Sequence, residues 1–161
     1  MGEIIEGLFP PKNPLIYIIY IKMSNNSKTK RKSRIDTYET IYYVDLVVAN
    51  EYTTLEELKK LYTYSDGVEL DEQIMDTAAS TSTIRRRSDD KDCILVKYNG
   101  YAGIKCIDKK TELHNTIAHE AGHVCMDIYD HMRQNICQCS QEPFCYLLGW
   151  VVQCIYKTLK K

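Results

Sequence analysis

Along residues 111–132 the apolar side chains Leu113, Ile117, Ala121, Val124 and Ile128 recur with a 3.6-residue period. That spacing predicts a long helix with one apolar face, and such a face must lie on something. Upstream, residues 41–48 (Ile-Tyr-Tyr-Val-Asp-Leu-Val-Val), 82–87, 93–98 and 103–107 read as strands rich in β-branched and aromatic residues. Asn99-Gly100 signals a hairpin between the last two, with a loop longer than two residues. Thr53 and Thr54, each with Glu three residues on, form overlapping capping boxes for a short helix to about Thr63. Ser65-Asp66-Gly67 reads as a turn, and 71–79 as another short helix. Downstream, a second long helix runs from a Ser140 cap to about Leu159, with Pro143 in its first turn. Phe144, Leu147, Leu148, Val151, Val152 and Ile155 form its apolar face. The expected class is α+β: helices on one face of a small, mostly antiparallel sheet.

A length of 161 residues suits one domain, and an apolar share of 44 % is enough for its core. The net charge of -1 points neither to nucleic acid nor to acidic substrates. Residues 1–35 differ in composition, and they read as a disordered tail before a single domain at 36–161. Within the tail the basic run Lys28, Lys30, Arg31, Lys32, Arg34 leaves a nucleic-acid arm or an anionic-membrane contact as lesser readings. Met23 is a candidate native start. The apolar run 15–21 falls far short of the roughly 20 residues that span a bilayer. Residues 1–11 carry Glu3 and Glu6 and no base, so a secretory signal is not expected. Seven cysteines in no regular framework predict reduced thiols and a cytoplasmic protein.

The long helix also carries His119-Glu120-Ala121-Gly122-His123. Residues i and i+4 share a helix face, so both imidazoles can reach one metal ion at about 2.0–2.1 Å. This face lies roughly opposite Ile117, which keeps core and metal sides apart. Glu120 stands about 100° round, too far to ligate but within reach of a metal-bound water whose proton it would accept. A third ligand is required. A Gly and a His three and six residues past His123 would mark one class of site, but Met126 and Tyr129 stand there. His131 lies about 12 Å further along the helix. Cys137 and Cys139 are soft ligands in the loop between helices, and Glu142 opens the second helix.

The pattern His-Glu-x-x-His, 18 residues, then Glu resembles the gluzincin zinc metallopeptidases. Gln141-Glu142-Pro143-Phe144-Cys145-Tyr146 is similar to the Asn-Glu-Gly-Phe-Ala stretch of their aminopeptidase branch, and residues 111–150 as a whole resemble short zincin-like proteins of bacteria and their phages. The resemblance implies that His119, His123 and Glu142 hold Zn2+, that Glu120 is the general base, and that Gln141 takes the place of the family's Asn. Tyr146, one turn past Glu142, is a candidate for a hydrogen bond within the site or for substrate contact. Asp127, one turn past His123, is a candidate to orient an imidazole. An oxyanion donor would come from Tyr98, Tyr101, Tyr129, Tyr146 or Arg85–Arg87. The expected function is hydrolysis of a peptide or protein substrate by a zinc-activated water, with no membrane partner. The alternative is a zincin-fold binding or regulatory protein.

Overall fold

Every residue of the strand Asp45–Ala49 is buried, which requires cover on both faces. The computed structural model, which describes residues 32–100 and 108–160, supplies it. Five strands, β1 (Ile35–Tyr38), β2 (Asp45–Ala49), β3 (Tyr62–Tyr64), β4 (Ala79–Arg86) and β5 (Asp92–Tyr98), form one sheet in the order β1-β2-β5-β4-β3. Only β2 and β5 run parallel; the other three neighbour pairs are antiparallel. On one face Leu46, Val48, Ile94 and Val96 pack against α2 (Lys109–His131) and α3 (Gln141–Leu159) through Ile117, Ala121, Val124, Ile128 and Val151. The alternate residues Val47, Ala49, Cys93 and Leu95 face α1 (Leu55–Leu61) and the 3-10 turn Glu72–Met75 through Leu55, Leu58 and Ile74. The class is α+β. Helices lie on both faces, however, not on one. The parallel β2–β5 pair explains this, because α1 must carry the chain across the sheet to its far edge, from which β3, β4 and β5 return.

Local departures from the sequence reading have local causes. Residues 41–43, expected as strand, form a turn in which Tyr43 takes φ 65° and Thr40 Oγ1 donates to the Val44 carbonyl at 2.6 Å. The capping box that forms is the Thr54–Glu57 one: Thr54 Oγ1 accepts from Glu57 N, and Glu57 Oε2 accepts from Thr54 N at 2.8 Å. The helix stops at Leu61, and the residues expected to end it become β3. Asp108, not Thr111, caps α2, accepting from Lys110 N at 2.9 Å and Thr111 N at 2.8 Å. Ser140 precedes α3 but makes no capping bond; its hydroxyl accepts from Cys137 N at 2.8 Å instead.

Residues 32–35 of the expected tail belong to the folded unit. Asn50 Nδ2 donates to the Lys32 carbonyl, Arg34 N donates to Asn50 Oδ1, and Ile35 opens β1. The remaining tail residues and the expected 103–107 strand lie outside the described residues. Among the described residues no helix is long and apolar enough to cross a membrane. The expectation of reduced thiols fails at one pair. Cys137 and Cys139, brought to a Cα–Cα distance of 5.3 Å across one residue, are joined in a disulfide. Cys93, Cys125, Cys145 and Cys154 are free.

Candidate metal and hydrolytic site

Three turns of α2 decide what the site contains. Ile117, Ala121, Val124 and Ile128 hold one face of the helix against the sheet, which sends His119 and His123 to the exposed side. Their rings meet edge to face, 4.7 Å between centroids, with the two Nε2 atoms 3.1 Å apart. Two nitrogens on one tetrahedral zinc at about 2.0–2.1 Å would stand roughly 3.3 Å apart. The imidazole pair fits that requirement.

Glu120 points toward β4. It is only 6 % exposed, and its Oε2 accepts a 2.6 Å hydrogen bond from Thr81 Oγ1, a residue 39 positions earlier. Helix geometry accounts for the placement: 100° of rotation from His119 turns Glu120 off the solvent side and onto the flank facing β4. The β4 strand presents Thr81 there because alternate residues of a strand face the same way, and Ile84 on the opposite parity joins the core of the far face.

These residues line a cleft of about 470 Å³. One wall is His119, Glu120, His123 and Asp127; the other is the first half of β4 with Tyr64, Gln73 and Thr77. Asp127 is half-buried. Burial pushes its carboxyl above the usual range, against an opposing pull from His123 and a further push from Asp130. Beyond the cleft, β3 pairs only with residues 84–86 of β4. Among the described residues, no strand pairs with 79–83 on the side away from β5.

Of the residues singled out in the sequence, His119, Glu120, His123 and Asp127 come together here. Glu142, Gln141 and Tyr146 do not line the cleft, and all three are exposed at the start of α3. The helix pairing explains why. Phe144 stacks edge to face on Tyr129 at 5.5 Å, and Tyr129 Oη donates to the Ser140 carbonyl at 3.3 Å. The start of α3 is therefore level with a residue six positions past His123, about 9 Å along the α2 axis. As a first-turn acid Glu142 suits the positive end of the helix dipole. Among the described residues, no group of three or more His, Cys, Asp or Glu gathers as metal ligands. The donor set thus fits zinc at its two imidazoles, and the third position is not assembled.

The expected oxyanion donors are engaged elsewhere or stand outside the cleft. Arg85 pairs with Asp92 and Asp90, Arg86 with Asp45, and Arg87 with Glu69. Tyr129 is buried, Tyr146 is 77 % exposed, and neither they nor Tyr98 line the cleft. Tyr101 lies outside the described residues. Among the described residues the phenol that does line it is Tyr64, whose Oη donates to Asp71 Oδ1 at 3.0 Å. Neither Tyr64 nor Thr81 carried a sequence signal. Each is brought to the site by sheet pairing, not by spacing along the chain.

No protein-family model, no curated protein and no solved structure matches the chain.

Proposed function

We propose that this chain is a zinc-dependent metallopeptidase whose water-activating base is Glu120. One observation carries the reading: a buried carboxylate that lines the same cleft as two imidazoles whose nitrogens are spaced for one ion. His119 and His123 would hold zinc, and zinc there would lower the pKa of a bound water toward about 7. Glu120 would be the group that holds a proton released by the attacking water and returns it to the departing amine. Among the described residues no strand covers the outer side of 79–83, and that side can take an extended peptide as an added strand, so that main-chain hydrogen bonds hold the substrate alongside the histidines. The strand expected to do this, 103–107, lies outside the described residues; β4 is the described strand that lines the cleft.

Glu142 is proposed as the third ligand on its spacing from His123. Because Glu142 stands apart from the histidines, its ligation requires the start of α3 to swing toward them, with residues 132–140 as the pivot. Metal analysis tests this. His123→Ala should reduce zinc in the purified protein to below a tenth of the wild-type content. Glu142→Ala should weaken uptake strongly, and Asp127→Ala only slightly. The reverse order for the last two would make Asp127 the ligand and leave α3 fixed.

A second reading follows because no third ligand joins the histidines among the described residues: a binding protein that grips an extended peptide at β4 without cutting it. A zinc-loaded wild type that retains peptides and cleaves none across a broad library would establish that reading.

A further inference from the structure

We infer that Thr81 is a positioning residue for Glu120, an assignment that rests on the peptidase reading. Thr81 Oγ1 donates to Glu120 Oε2 at 2.6 Å, in the range of short, charge-assisted O–H···O⁻ bonds. The terminal torsion of a Glu side chain is broad and roughly two-fold, so a buried carboxylate left to itself samples several orientations. A donor fixed on a strand removes that freedom. With Oε2 committed to Thr81, the task of receiving a proton falls to Oε1.

The position of Thr81 gives this bond a second consequence. Thr81 stands in the middle of 79–83, the stretch whose outer side no described strand covers. Its side chain reaches the base while its backbone belongs to the edge that an extended peptide would join. Seating a peptide along β4 therefore steadies the strand that aligns Glu120. Substrate binding and base alignment pass through one residue. The register favours this, since β4 is held on its other side by an unbroken ladder from Ala79↔Tyr98 to Arg85↔Asp92.

The test uses the full chain loaded with zinc, as wild type, Thr81→Val and Thr81→Ser. The first readout is kcat and KM on the best-cleaved member of a mixed peptide library. The second is the affinity of a peptide hydroxamate, which is not turned over and whose released proton is held by a carboxylate beside the ion. Hydrogen bonds to charged groups set the expected size, roughly tenfold to a hundredfold. Thr81→Val should lower kcat by that factor with KM and zinc content unchanged, and hydroxamate affinity should fall in parallel. Thr81→Ser, which restores the hydroxyl, should recover both. A Thr81→Val protein with parental kcat and hydroxamate affinity overturns the assignment alone. So does a Thr81→Ser protein as impaired as Thr81→Val, or zinc loss in step with activity. A wild type that takes up no zinc overturns the peptidase reading and this assignment with it.

Discussion

Two buried carboxylates in this protein are held in opposite ways. Asp45, 2 % exposed on β2, accepts from Arg86 Nη2 at 2.5 Å and from Lys91 Nζ at 2.7 Å. Burial raises its pKa, but hydrogen bonds from Lys91 and Arg86 outweigh this and hold it below the ordinary value. Glu120, 6 % exposed on α2, accepts from the neutral hydroxyl of Thr81. A carboxylate locked between two cations is a structural charge. Glu120, given a neutral partner and set beside two imidazoles, keeps an oxygen for other work. The contrast separates a group that holds the fold from one that serves the cleft.

The contrast can be broken at its structural end first. Removing one partner of a buried ion pair costs about 3–5 kcal/mol, and the low end applies because Arg86 and Lys91 both reach solvent. Asp45→Ala should therefore lose about 3 kcal/mol in urea unfolding, whereas Glu120→Gln should lose much less. Equal losses would erase the distinction. The acid limb follows from the sign. With a folded pKa below the ordinary 3.8, the Asp45 contribution is full above that value and fades as pH falls through the depressed one. Asp45→Ala should flatten that part of the stability profile.

A second pH effect of the same sign, at the alkaline end, belongs to Lys97. Its ammonium is fully buried against the carbonyls of Asn50 and Tyr98, at 2.9 and 2.8 Å, and burial lowers its pKa from 10.5 to about 8. The unfolded chain keeps this proton over a range where the folded chain has released it, so stability should rise with pH between about 8 and 10.5. Comparing Lys97→Met with wild type across that window should show the rise only in the wild type. A rise of equal size in both would assign it to other groups.

The smallest effect is at the α1 cap, where Thr54→Ala should cost about 1 kcal/mol by the same urea measurement. No change would mean that Ser33, which donates to Glu57 Oε2 at 2.9 Å, holds the helix start by itself.

These residues also show what the sequence made legible. The period of α2, the shared face of His119 and His123 and the capping chemistry at Thr54 depend on neighbours within four positions, and all were readable. Even there the choice between two boxes was tertiary, since Thr53 turns inward to 1 % exposure and donates to the Arg34 carbonyl at 3.0 Å. Three-residue β3 exists only by pairing with 84–86, so local propensity could not reveal it. The Thr81–Glu120 bond joins residues 39 apart and appears only once β4 lies beside α2. Counting 18 residues to Glu142 says nothing about where the turn between α2 and α3 pivots. In this structure the Tyr129–Phe144 contact sets it, and ligation by Glu142 would have to break that contact.

The most direct test of the central claim compares Glu120→Gln with wild type at equal zinc loading on a broad peptide library. Gln keeps the shape and the hydrogen bond from Thr81 but removes the base. General-base catalysis contributes typically about 10²–10⁴-fold, so cleavage should fall at least about a hundredfold while zinc content stays level. Cleavage at the parental rate by the zinc-loaded variant would contradict the account, because the proton would then have another acceptor.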